Sequence, residues 1–394
     1  MRSGSKSGGT GDGGNDLPRF LVLYAALYGA YGCVSPILPS FLAARGLAAG
    51  EIGVLLATAG AVRIVAGPLA GRLADRRRVR PVLAASAALA GLAALAHLPA
   101  HGFAPLLCAG LAYALGTAAL APLCDALALA AARGGAVFQY GWVRAAGSAA
   151  FIAATGAAGW LIAGSGRAAA VLAAGLLFLA TAAAALAVPD RSAREDAASE
   201  AAGGSWSGVV ELWRLPRFIR TVLVAALVIG AHAMHDGFAM ILWRASGIGP
   251  GAAGLLWSES VAAEIVVFLA FGPWLLARIG LPGGVALAAG AGAVRWAAMV
   301  LGAPLSWLAA VQVLHGFSFA LLHLACLGLV EASVPPRLRA TAITVYGTFG
   351  LGLAGVLVTL ASGSLFAAYG ARAFWAMTLL SLAALPLVPA LRSR

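Results

Sequence analysis

The chain has 394 residues, of which 62% are hydrophobic and only 10% are charged, and its mean hydropathy is +0.93. Soluble domains carry roughly a quarter charged residues, so this balance excludes a soluble protein and points to an integral membrane protein. The net charge of +12 does not indicate nucleic acid, because the arginines are scattered between apolar runs instead of being clustered on one soluble face.

Residues 1–17 begin MRSGSKSGGTGDGGND, a Gly- and Ser-rich stretch with no apolar core. They are expected to form a disordered cytoplasmic tail, not a cleaved leader. With about 20 apolar residues per crossing, twelve membrane helices follow: 18–42, 51–72, 80–99, 103–131, 138–164, 168–188, 217–243, 250–277, 282–302, 304–330, 339–367 and 371–391. One long polar stretch, 189–216, divides six helices from six, giving an amino-terminal bundle over 18–188 and a carboxy-terminal one over 217–394. The fold class is therefore all-α.

Orientation follows from the positive charges. With the amino terminus inside, 19 of the basic residues fall in cytoplasmic tails and turns, while the outer turns hold only Arg45, Arg167, Arg244 and Arg372. Both termini are thus expected in the cytoplasm, in a multi-pass protein of the inner membrane. Cys33, Cys108, Cys124 and Cys326 all lie inside apolar segments without ligand spacing, so no disulfide framework, metal site or cofactor is expected. An internal repeat supports two halves of common design. Gly67-Pro68 recurs as Gly272-Pro273, Tyr140-Gly141 as Tyr346-Gly347, and Arg167 as Arg372, all at offsets of 205 or 206. Parallel six-helix halves with a site between them are a transporter arrangement.

The chemistry lies in the few charges left inside apolar helices, each of which costs about 3 kcal/mol at a helix centre unless it finds a partner or a wet cavity. In the first half these are Arg63, Asp125 and Arg144. Arg63 either contacts a solute or pairs with an acid. Asp125 and Arg144 sit on adjacent antiparallel helices, where they can pair across the hairpin and open to offer a polar solute an acceptor and a bidentate donor; a purely structural pair is the alternative. In the second half, His232 and Asp236 share a helix face at i and i+4. Glu259 and Glu264, five residues apart, point in different directions, so only one is expected to face a cavity. Arg295 and His315 complete the set. Trp257 and Trp296 are positioned to stack on an aromatic ring, though core packing is the commoner role. Trp243 and Trp274 read as interface anchors. The glycines at 141, 147, 156, 159, 347, 350, 352 and 355 are expected to let helices five and eleven approach the opposite half.

The turn Gly71-Arg72-Leu73-Ala74-Asp75-Arg76-Arg77-Arg78-Val79-Arg80 resembles the G-x-L-A-D-R-x-G-R-R signature of the major facilitator superfamily, with Arg78 where a Gly is usual. The segments PLCDALA, YGWVRAAGSAAF, GAHAMHDGF, LLWSESVAAEIVVF, GAVRWAAM and VQVLHGFSFALLHLA resemble the 3-phenylpropionate permease group of that superfamily and, more distantly, lactose permease. The resemblance implies a conformational role for Gly71, Asp75 and Arg76. It implies solute contacts at Asp125 and Arg144 and a proton site around Arg295 and His315, although Ser318 stands where lactose permease has an acid. The phenylpropionate group would use Arg144 to meet a carboxylate and lactose permease would use it to meet hydroxyls; the sequence does not choose.

The expectation is a secondary transporter in two pseudo-symmetric six-helix bundles, coupling protons to uptake of a small polar or aromatic-acid solute, with proton-linked efflux as the alternative. The solute is expected to engage Asp125, Arg144, Arg63, Arg295, Trp257 and Trp296, and the proton Glu264, Asp236, Glu259, His315 and His232. Its partners are the solute, protons and the bilayer, and one chain is expected to suffice. No HExxH, GxSxG or CxxC appears, so an enzyme is not expected. A receptor would need a larger soluble domain than 189–216 supplies.

Overall fold

The computed structural model describes residues 16–133, 138–190, 206–302 and 304–392; the expected tail over 1–15, most of the 189–216 linker, and the side chains of Asp75 and Arg133 lie outside the described residues. In a bilayer every backbone N–H and C=O must be satisfied internally, and the described chain meets this demand with helices throughout. The spans are α1 (Leu17–Val34 continued by Leu38–Ala44), α2 (Ala49–Arg77), α3 (Val79–Ala96), α4 (Phe103–Thr117 and Leu120–Arg133), α5 (Tyr140–Ser165) and α6 (Arg167–Ala187). After a linker helix at Trp206–Leu212 comes α7 (Pro216–Val228 and His232–Ala245).

Two longer runs each hold two spans. Pro250–Val300 has 51 residues, which at 1.5 Å per residue is more than twice the thickness of a hydrocarbon core. It is broken at Gly280 (φ 73°, ψ 166°) into α8 (250–279) and α9 (281–300). Leu305–Gln312 and the helix resumed to Ser333 form α10, and the run Pro336–Leu391 is broken at Gly370 into α11 (339–369) and α12 (371–391). This makes the twelve expected spans.

The turns carry the repeat more clearly than the sequence does. Positive φ occurs at Gly46, Arg78, Gly102 and Gly166 in the first half and at Gly247, Gly280, Gly302 and Gly370 in the second, each at the same turn of its half. Arg78 is the only non-glycine among them in the described residues, at φ 104°, ψ 146°. Substitution of the usual glycine has therefore kept the backbone conformation and strained it. Gly71, Asp75 and Arg76 lie not in a turn but in the last turns of α2, and a Cβ on Gly71 would meet nothing within 4 Å.

The first and fourth helices of each half, which line the interface, are interrupted. α1 breaks at 35–37 around Pro36, α4 at 118–119, α7 at 229–231 and α10 at 313. Three spans of the second half also contain π-helical stretches, at Val267–Phe271, Gly316–Leu321 and Tyr346–Leu353, a geometry often found at functional sites. The linker helix docks on the second half through Leu212 against Phe218, Val334 and Leu338. Arg337 forks onto its Glu211 at 3.0 and 2.6 Å, a hydrogen-bonded pairing that holds the Glu211 carboxyl below its ordinary range.

The two halves meet closely at the end bearing the 45–48 and 246–249 turns. A Cβ on Gly53 would lie 2.7 Å from the Gly363 Cα, one on Gly159 would lie 2.5 Å from the Pro250 carbonyl, and one on Gly60 would lie 2.9 Å from Val356. Glycine is needed at Gly53 and Gly159 because backbone packs on backbone, and at Gly60 because the Val356 side chain fills the space. Only part of the expected glycine face serves this purpose. Gly156, Gly159 and Gly352 face the opposite half, Gly147 and Gly350 face Tyr28 and Ala225 of their own halves, and Gly141, Gly347 and Gly355 face open space.

Arg78→Gly should raise stability by about 1 kcal/mol, the release of backbone strain exceeding glycine's extra chain entropy; an unchanged or lowered Tm would refute the strain. Gly363→Val should part the sealed end. In a Cys108→Ala background, labelling of Ala233→Cys by an impermeant maleimide from the 45–48 side should rise severalfold, and unchanged labelling would count against the seal.

Candidate functional site

The breaks in the helices place polar groups at mid-membrane. Where α4 stops at Thr117, Tyr31 of α1 donates to the Thr117 carbonyl at 3.2 Å. The Thr117 hydroxyl bonds the Tyr113 carbonyl at 2.8 Å and accepts from Arg63 Nε at 3.3 Å. The Arg63 guanidinium also lies 6.0 Å from the Tyr113 ring centroid. Where α7 stops, His232 Nδ1 donates to the Val228 carbonyl at 3.0 Å, and its Nε2 meets the Ser318 hydroxyl at 3.1 Å. The residues freed by these interruptions enclose a cavity of about 630 Å³ between the halves, with Arg63 on one wall and Asp236 on the other.

Arg295 is buried at 1% exposure. Its Nη1 contacts His315 Nδ1 at 3.0 Å, and its Nη2 contacts His235 Nε2 at 3.2 Å and donates to Gln312 Oε1 at 2.7 Å. A guanidinium has donors only, so both imidazole nitrogens facing it must carry lone pairs. Each ring is then neutral, and its remaining N–H points away from Arg295. His315 Nε2 points at Glu264 Oε2, 3.3 Å away, and His235 Nδ1 points at Asp236 Oδ1, 3.4 Å away. The result is a chain, Asp236–His235–Arg295–His315–Glu264, with one sealed cation and a carboxylate at either end. Asp236 is 62% accessible in the cavity and Glu264 is 24% accessible.

In the first half, Asp125 and Arg144 form no ion pair within 4 Å. Asp125 accepts from Tyr24 at 2.6 Å, and Arg144 lies 4.7 Å over the Tyr28 ring. Tyr28 takes this position because a Cβ on Gly147 would come within 2.7 Å of it, so only glycine leaves the space. Tyr24, fully buried on α1, takes the carboxylate. Arg144 in turn acts electrostatically across the interface on Glu264.

Several sequence expectations change. Arg295 cannot receive a solute: it is enclosed, and Trp296 packs beneath it at 4.6 Å. Trp296 at 0% and Trp257 at 9% exposure are walls of the chain, with Trp257 stacked on His235 at 4.9 Å. Trp243 is 1% exposed and packs edge-on to His235, so it is not an interface anchor, whereas Trp274 is exposed under Arg278 at 4.2 Å. Glu264, not Glu259, joins the network, since Glu259 shares a face of α8 with the exposed Leu255 and Val266. His232 stands beside the chain instead of in it, and Asp236 bonds His235, not His232. Among the described residues, Arg63 takes no acid partner within 4 Å.

The sequence reading missed Tyr24, Tyr28, Tyr31, Thr117 and Gln312. The tyrosines had a signal, since their spacing of four and three marks one polar-edged face of an apolar helix. Gln312, three residues before His315, had the same one.

Residues 18–377 match the model of the MFS_1 like family. A relative described as "Probable 3-phenylpropionic acid transporter", from Escherichia coli (strain K12), is 31% identical over 377 residues, covering 94% of this chain and 97% of its own. A crystal structure of a mutant of the nucleoside transporter NupG is similar at a TM-score of 0.84 and 17% identity, covering 96% of this chain and 100% of that one. A bacterial homolog of the human lysosomal transporter Spinster, inward-facing and unoccupied, is similar at 0.74 and 16% identity, covering 98% of both chains. These two likenesses show the fold.

Gln312→Leu removes an uncharged acceptor from a buried cation and should lower stability by about 2 kcal/mol. An unchanged unfolding midpoint in detergent would show that Gln312 does not hold Arg295.

Proposed function

The chain belongs to the MFS_1 like family, and on that premise we propose that this multi-pass membrane transporter couples protons to the uptake of a small polar or aromatic-acid solute by alternating access. The bundles 18–188 and 217–394 act as the rocking bodies and 189–216 as their tether. The scarcity of positive charge in the turns at the sealed end supports placing that end outside the cell, with both termini in the cytoplasm and the cavity opening inward. The solute enters between Arg63 and Arg144 on one half and Asp236 and Glu264 on the other. All these groups belong to one chain, which supports a functional monomer in the cytoplasmic membrane.

The chief support is the five-membered chain around Arg295. With both carboxylates ionised it carries one net negative charge, and with one of them protonated it is neutral. A neutral chain is far cheaper to enclose in a low-dielectric interior than a charged one. Rocking is therefore favoured once a proton has been taken from the wetter side. Arg295 accepts no proton, so it does not pass one between the histidines; it links the two carboxylates through its field alone. A proton moving down 100 mV supplies about 2.3 kcal/mol, which sustains accumulation by tens of fold.

Uptake into proteoliposomes under an imposed proton gradient tests this. Asp236→Asn and Glu264→Gln should each abolish gradient-driven accumulation while retaining solute counterflow, which needs no net proton movement. If both variants accumulate solute as the parent does, proton coupling through this chain is wrong.

A further inference from the structure

The sealed end carries a second, much smaller cavity, of about 30 Å³, between the two halves. Arg167, the first residue of α6, lines it from one half, and Arg244, in the last turn of α7, lines it from the other. Among the described residues neither guanidinium meets a carboxylate within 4 Å, and the two act on each other electrostatically across the seam. No acidic side chain lines the cavity. The one acid beside the turns at this end is Glu51, and it caps the Ala48 amide at 2.8 Å instead. Arg45, on the same end, is taken up by His101 and the Ala100 carbonyl. Closing this end therefore brings two like charges together with no side chain of opposite sign to offset them.

The rest of the wall decides what kind of occupant fits. Ile37, Ile162 and Met240 are apolar, and the Ser40 hydroxyl already donates to the Ile37 carbonyl at 2.9 Å. The first turns of α6 and α8 border the cavity, so the positive ends of two helix dipoles lie beside the two guanidinia. A cavity needs roughly 10–15 Å³ to hold one water-sized particle, so this one admits a monatomic halide and is too small for sulfate, phosphate or an organic solute. Water fits by size but leaves the charges unbalanced. Arg244 is exposed to the solution at this end, which gives an ion its way in.

We propose that a chloride ion from the outer solution occupies this cavity, bridges Arg167 and Arg244, and so regulates closure of the outer end. Without the ion the two arginines push the halves apart. With it that opposition is cancelled, and closure is left to the charge of the central chamber. When the halves rock open at this end the arginines separate and the site is dismantled, so the ion binds the inward-open form alone. External chloride then tunes the carrier without being carried. Its effect on opening rests on the alternating-access reading above; the ion site does not.

Full-length protein in nanodiscs, with sodium chloride replaced stepwise by sodium gluconate at constant ionic strength, tests both levels. Chloride NMR line broadening reads the site. Spin labels on Ala104→Cys and Ser306→Cys, in a Cys108→Ala background, read the closure; both positions are exposed, sit on opposite halves at the starts of α4 and α10, and lie outside the cavity. Broadening should half-saturate on the order of 10 mM chloride, as two charged contacts at a partly solvated site supply. At about 100 mM the ratio of short to long distances should then exceed that in gluconate about tenfold. Bromide should replace chloride and sulfate should not. Arg244→Gln should lose the broadening and the chloride response while unfolding near the parent Tm, and Arg244→Glu, which sets a carboxylate opposite Arg167, should hold the end closed in gluconate alone. Equal distances in chloride and gluconate would overturn the regulation, since screening acts alike in both. Undiminished broadening in Arg244→Gln, or sulfate acting as chloride does, would overturn the site. Labels that hold one distance in every condition while Arg244-dependent broadening persists would sink the rocking carrier, and chloride regulation with it, and leave the ion site standing.

Discussion

A guanidinium in hydrocarbon has five N–H groups to satisfy and no lone pair to offer, and this single constraint orders the second half of the protein. Arg295 fixes the tautomers of two histidines because each must present a bare nitrogen to it. Those tautomers send the opposite N–H groups outward, to Glu264 on one side and Asp236 on the other. The aromatic shell of Trp257 and Trp296 keeps water from competing, so the pattern rests on geometry more than on solvation. Removing any member leaves a buried polar group without its partner, which is where large destabilisation arises.

Continuous helices would offer a solute nothing but side chains on smooth cylinders. Here α1, α4, α7 and α10 are each interrupted near the middle, and the residues at the interruptions, from Tyr31 and Thr117 to His232 and Gln312, are the ones that bond across helices. Freed carbonyls are met by side chains, as when His232 takes the Val228 oxygen. The first and fourth helices of each half therefore carry a break and polar groups near it, although the breaks fall at different positions of the repeat.

Much of this was legible from the residues. Twelve spans followed from hydropathy, and the need of Asp236, Glu264, Arg295 and His315 for polar partners followed from their setting in apolar helices. The partners were less legible, because spacing along one helix says which residues share a face and not what the neighbouring helix brings. Asp125 was expected to meet Arg144 across a hairpin, yet Tyr24 from α1 reaches it first. Trp296 read as a stacking surface, but its face is spent against Arg295 and His232. The divisions at 277/282 and 367/371, by contrast, were read from the sequence, and a single positive φ at Gly280 and at Gly370 makes each reversal.

The meeting of Gly53 with Gly363 is a contact between two main chains, with no rotamers interlocked and no polar pair to separate. Parting these two lengths of main chain wets little area and unpacks no side chain, so at this point the seam resists opening only weakly. In the proposed carrier, the charge state of the chamber then decides which end stands ajar, and the seam merely follows.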